Sequence, residues 1–182
     1  MIRGALALLL ALSSVGPAAA QALDPARSRI EFDVRARWGQ PVRGHFPRFE
    51  GAVEHLPDGR RRVRLRLSTA DLEMAGGPRQ TRLARGPQLF DAARHPWIEF
   101  VSEPYPAALS ISGGPLEGRL RLRGIERREN FELVPATCAR PGHDCPVLAQ
   151  GRVSRDDDGL DGWQWALADR VRFKINVRFA NH

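Results

Sequence analysis

The chain has 182 residues, with 28 Lys and Arg against 21 Asp and Glu, a formal net charge of +7 at pH 7, and nearly all of the cations are arginine. Gathered in one patch, this charge would point to nucleic acid. Here the arginines fall one per two residues along several segments, interleaved with apolar side chains as on the wet face of a sheet, so no nucleic-acid partner is expected.

The first residues read as a secretory signal peptide. Arg3 is the only charge before Asp24, the stretch from Ala5 to Leu12 is apolar, and Ala18-Ala19-Ala20 supplies small residues for a cleavage site. The expected cut follows Ala20, with Ala22 as the alternative, which makes the protein periplasmic or otherwise exported. A membrane anchor is the competing reading, but the apolar stretch falls short of the ~20 residues that span a bilayer. The remaining residues, 21–182, are about 160 in number and suit one domain with a substantial core.

From there the chain alternates. Strands are expected over 28–37, 42–56, 61–68, 97–103, 107–112, 116–123, 130–135, 147–155 and 170–179, most of them separated by Pro- and Gly-bearing turns. The last is the clearest: Val171, Phe173, Ile175, Val177 and Phe179 alternate with Arg172, Lys174, Asn176 and Arg178. Side chains on a strand point alternately to opposite faces, so this is an antiparallel sheet with one dry and one cationic face. Once closed, such a sheet surrounds an apolar interior. Two segments break the rhythm. Residues 79–90, with Leu83, Leu89 and Phe90, suit one or two helical turns, Pro87 fitting a first helical position. Trp163 and Trp165 share a face and belong to the barrel wall or its rim.

Cys138 and Cys145 flank Ala-Arg-Pro-Gly-His-Asp, whose Pro141-Gly142 is a turn signal, so the pair reads as a disulfide closing a small loop. The alternative is a metal site of Cys138, His143 and Cys145, which lacks a full ligand set. Catalytic signatures are missing: there is no Gly-x-Ser-x-Gly elbow, no His-Glu-x-x-His and no phosphate-cradling loop. His45, His55, His95, His143 and His182 are scattered. Asp156-Asp157-Asp158-Gly159 lacks the ligand spacing of a calcium loop. No catalytic residue, cofactor or metal is expected, and an enzyme assembled from distant carboxylates is the weakest reading.

Three stretches carry a resemblance: Gly44-His45-Phe46-Pro47-Arg48-Phe49-Glu50-Gly51, Phe90-Asp91-Ala92-Ala93-Arg94-His95-Pro96-Trp97-Ile98-Glu99-Phe100-Val101-Ser102, and Gly118-Arg119-Leu120-Arg121-Leu122-Arg123-Gly124. In this order, after Ser28-Arg29-Ile30-Glu31-Phe32 and before an alternating final strand, the chain resembles the YceI-like family of bacterial exported proteins. The resemblance implies an all-β fold, a lipocalin-like eight-stranded antiparallel barrel with a short helical segment near the mouth. It also implies a non-catalytic protein that binds a polyisoprenoid or isoprenoid quinone, with a membrane cytochrome b as a possible partner in some relatives. The chain departs from the family at Arg79-Gln80-Thr81-Arg82-Leu83, where relatives carry an Arg-Asp-x-His-Leu run, and at Glu126 and Arg128, where Thr and Pro are usual.

The expected lining comes from the apolar strand faces: Phe32, Val34, Phe46, Val63, Leu65, Ile98, Phe100, Leu120, Leu122, Phe173 and Ile175. Leu83, Leu89 and Phe90 are expected to close the mouth. The competing readings are that these residues fill a solid core, and that a filled barrel docks by its arginine-rich exterior on a membrane protein, a membrane surface or anionic lipid.

Overall fold

Alternation dictates the architecture. The computed structural model describes residues 20–36, 38–154 and 167–180. Residues 1–19, the acidic run Asp156 to Gly159, the pair Trp163 and Trp165, and His182 lie outside them. The elements in chain order are β1 (Ala20–Ala22), a 3-10 turn (Pro25–Arg27), β2 (Arg29–Ala36), β3 (Pro41–His45), β4 (Phe49–His55), β5 (Arg60–Ser68) and β6 (Glu73–Met74). Then follow α1 (Pro78–Arg85), β7 (Trp97–Ser102), β8 (Tyr105–Pro106), α2 (Leu109–Ser112), β9 (Gly114–Leu122), β10 (Ile125–Leu133), β11 (Val147–Ser154) and β12 (Leu167–Val177).

All strands join one curled antiparallel sheet in the order β1-β4-β5-β7-β9-β10-β11-β12-β2-β3-β6, with β8 attached to β5. The expected count of eight is therefore corrected: the sheet has 12 strands among the described residues. Part of the excess is β1, β6 and β8, each only two or three residues long. Another part is the strand expected over 42–56, which splits into β3 and β4 at Phe46 to Arg48. Pro47 stands at that corner, and proline has no N–H to donate to a ladder. The strand expected over 107–112 is instead α2, because Ser110 Oγ turns back to the Ala107 carbonyl at 2.8 Å. β10 starts earlier than expected: Arg127 and Arg128 pair in register with Leu120 and Arg119. In α1 the first-turn proline is Pro78, and Pro87 follows the helix.

Residues 22–24 bridge β4 to the segment that follows β12. Leu23 N–H donates to Gly51 O at 2.8 Å, Asp24 N–H to Arg178 O at 2.8 Å, and Ala180 N–H to Ala22 O at 2.9 Å. Arg27 Nη2 adds a 2.6 Å bond to Phe179 O. A second clasp is the loop closed by the Cys138–Cys145 disulfide. With both sulfurs bonded to each other, the metal alternative loses its thiolates. Phe179 N–H donates to Gly142 O at 2.9 Å, and Arg178 Nη1 to His143 O at 2.9 Å. Gly142 has φ +91°, and a Cβ there would run into the Phe179 ring. Only glycine suits both demands.

Replacing both cysteines by serine is expected to lower stability by about 2 to 3 kcal/mol, the loop-entropy value for so short a ring. Thiol titration of denatured, unreduced protein should find no free thiol. Hydrogen exchange in the double variant should rise first at Phe179, whose amide donates to Gly142 O of this loop.

The outer face is cationic in composition, and across β4, β5, β7 and β9 its arginines meet glutamates. Arg62 and Arg64 pair with Glu54, Arg66 with Glu50 and Glu99, Arg121 with Glu99, and Arg119 with Glu103 and Glu126. Each exposed pair contributes at most about 1 kcal/mol, so the lattice sets the surface potential more than the stability.

Candidate ligand cavity

The inward faces of the strands do not fill the barrel evenly. Toward α1, Phe32, Phe46 and Phe90 form a packed cluster, with ring centroids 5.3 Å (Phe32–Phe46), 5.8 Å (Phe32–Phe90) and 6.2 Å (Phe46–Phe90) apart. Backbone bonds hold the plug in place. Phe90 N–H donates to Ala84 O at 3.0 Å, Arg123 Nη1 to Leu89 O at 2.9 Å, and Arg85 Nε to Leu72 O at 2.9 Å.

The remainder of the interior is hollow. A cavity of about 90 Å³ is lined by Leu23, Val53, Arg61, Val63, Leu65, Leu67, Ile98, Phe100, Tyr105, Ser110, Leu116, Leu120, Phe131, Leu133, Val147, Ala149, Phe173, Ile175, Val177 and Phe179. By the measure on which one water needs roughly 10–15 Å³, it has room for about six to nine water-sized spheres. Its walls are almost wholly apolar, and an apolar cavity stays dry until an apolar molecule enters it.

Glycines keep it open. Phe131 faces Gly151 in register across β10 and β11, and in the plug Phe32 faces Gly44 likewise. Phe100 lies over Gly118 of β9. A Cβ on any of these glycines would meet the ring, so each ring lies flat against the neighbouring backbone. Rings held to the wall leave the centre free.

The polar lining is confined to one rim. Arg61 adjoins the turn between β4 and β5 and pairs in register with Tyr105, and its Nη1 donates to Ser110 Oγ at 3.3 Å. β5 starts at this rim and ends at Ser68, where the chain departs toward β6 and α1. Thus α2, which carries Ser110, borders the polar rim, and α1 belongs to the other end of β5. Burial pushes the Tyr105 hydroxyl above the usual tyrosine range, partly offset by the nearby Arg61 charge, so it stays protonated as a donor.

Residues 21–179 match the model of the YceI-like domain. The chain belongs to the YceI-like family. Among solved structures, it is similar to Burkholderia cenocepacia BcnA, at 20% identity and TM-score 0.70 over 87% of this chain and 99% of that one. It is also similar to a polyisoprenoid binding domain from Saccharophagus degradans implicated in plant cell wall breakdown, at 13% identity and TM-score 0.69 over 91% and 99% of the two chains. The Campylobacter jejuni YCEI protein gives 14% identity and TM-score 0.58 over 76% and 85%. At these identities the likeness establishes the fold. No curated protein matches the chain.

In this YceI-like barrel the residues expected to line a site divide into two groups. Val63, Leu65, Ile98, Phe100, Leu120, Phe173 and Ile175 line the cavity. Phe32, Val34, Phe46, Phe90 and Leu122 are buried outside its lining. Leu89 is half-buried against that core, and Leu83, 42% exposed on α1, covers nothing of the cavity. The segment expected to close a mouth therefore plugs the barrel through Phe90. Leu116, Phe131, Leu133, Val147 and Val177 were missed although the same alternation marks them. Arg61, Tyr105 and Ser110 carry no such signal.

Proposed function

We propose that this YceI-like protein is an exported, non-catalytic binding protein that holds a long apolar ligand of the polyisoprenoid or isoprenoid-quinone type inside its barrel. The observation that carries this reading is the apolar cavity, walled by aromatic rings laid flat on glycines. A slender hydrocarbon needs only dry surface, and burial is worth about 0.8 kcal/mol per methylene. Two or three five-carbon units would contribute on the order of 8 to 12 kcal/mol gross, before ordering costs reduce it. The polyisoprenoid binding of the Saccharophagus degradans relative supports the same class of ligand. Export rests on the pattern of residues 1–20. Cleavage after Ala20 leaves Gln21, which pairs with Val53 and reaches His143 at 2.7 Å, whereas cleavage after Ala22 would remove both contacts. A membrane cytochrome b or the membrane itself is the proposed source or acceptor of the ligand.

Mass spectrometry of an organic extract of the purified mature protein should find a polyprenyl species in stoichiometric amount. A lipid-free protein that gains no stability from added isoprenoid would remove the carrier reading. The second reading, a filled barrel that docks by its arginines, is disfavoured on β4, β5, β7 and β9, where cross-strand glutamates neutralise them. Salt separates the two. Docking should fade at about 1 M salt, where the screening length is about 3 Å, while tail binding should persist.

A further inference from the structure

Arg61 breaks the rule of its own strand. Along β5, Arg60, Arg62, Arg64 and Arg66 each pair with a carboxylate. Arg61 lines the cavity instead, at a position where alternation calls for an apolar side chain, and no carboxylate among the described residues pairs with it. A local rule broken without structural compensation marks a functional position.

Tyr105 is the second irregularity. It is 8% exposed, lines the same cavity, and its hydroxyl has no hydrogen-bond partner among the described residues. Buried tyrosine hydroxyls usually find one. Ser110 completes the rim, its Oγ accepting from Arg61 and donating to Ala107 O. The rim's one charge is cationic, and its free donors are the remaining guanidinium N–H groups and the phenolic O–H. Their complement is an oxygen-rich acceptor bearing negative charge.

We propose that the Arg61–Tyr105–Ser110 rim is a head-group station, and that the barrel takes an amphiphile whose apolar tail ends in a carboxylate or phosphate. The head sits at the rim, and the tail runs inward past Phe100 and Phe131. This deepens the binding reading above and rests on it.

The test compares ligands that share one tail. Binding of a long-chain carboxylate, a prenyl phosphate and the corresponding uncharged alcohols is measured by displacement of a fluorescent fatty-acid probe from the full-length mature protein. The parent should prefer either anionic ligand over its alcohol by roughly ten-fold to a hundred-fold, the range for hydrogen bonds to a charged group. The two anionic ligands reveal which head is held better. Arg61→Gln should erase the preference by weakening the anions far more than their alcohols, Arg61→Lys should retain part of it, and the near-isosteric Tyr105→Phe should lower it several-fold. Equal binding of anion and alcohol, or a preference untouched by Arg61→Gln, would overturn the head-group station while leaving the apolar cavity intact. Failure of every tail to displace the probe would overturn the cavity reading, and the station with it.

Discussion

Phe46→Ala is expected to cost about 3 to 5 kcal/mol of folding stability, and to cost it equally with and without bound lipid. Phe46 is 1% exposed and packs edge-on against Phe90 and tilted against Phe32. Removing it leaves a void in the plug, whose walls are held by the Arg123–Leu89 and Arg85–Leu72 bonds and cannot collapse freely. Phe100→Ala and Phe173→Ala should behave otherwise. Their rings face a space that is already hollow, so their loss should cost the stripped protein less. In the lipid-bound protein the same changes weaken binding, and that loss enters stability through ligand linkage. Chemical denaturation of stripped and loaded protein gives the comparison. If Phe46→Ala and Phe100→Ala show the same ligand dependence, the division into plug and cavity is wrong.

Gly151→Ala is expected to abolish ligand retention while leaving a folded barrel. A Cβ on Gly151 would occupy the place of the Phe131 ring, and the three nearest atoms it would meet belong to that side chain. The ring must swing toward the centre, into the cavity it now borders. Overpacking of this kind costs typically 1 to 3 kcal/mol, well short of the loss expected at Phe46. The readouts are lipid content after purification and the thermal midpoint of the empty protein. Normal lipid content in a normally stable variant would show that the ring finds another wall to lie on.

Much of this was legible in the chain. Alternation named most of the strands and the dry face, and Cys138 with Cys145 named the clasp. Depth along the barrel was not legible. Phe32 and Phe173 read identically as inward-facing, and their rings lie 6.2 Å apart, yet only Phe173 lines the cavity. Their fates depend on what stands behind and beyond each ring: Phe90 closes over Phe32, and none of the described residues fills the space below Phe173. Periodicity reports which face a residue takes and says nothing of its neighbours three strands away. The early half of β10 was hidden for a related reason, since Glu126, Arg127 and Arg128 offer no apolar rhythm and are recruited by register with β9. The rim was hidden because an arginine among arginines looks like surface until its strand is built.

The meeting of Ala22 with Ala180 bears on how the molecule is made. A contact between residues so far apart in sequence forms late, because a very long loop must close before it contributes anything. A chain emerging N-terminus first holds β1 and β4 ready but lacks the final residues that shut the seam. Until those arrive the sheet is an open ribbon with two bare edges, prone to pairing with other chains. Completion therefore waits for residues 178–180, and a chain cut before them would be left as an adhesive half-product. Joining Ala22 to Ala180 with a short linker and opening the chain at the Asp58-Gly59 turn should yield a permuted protein that closes early.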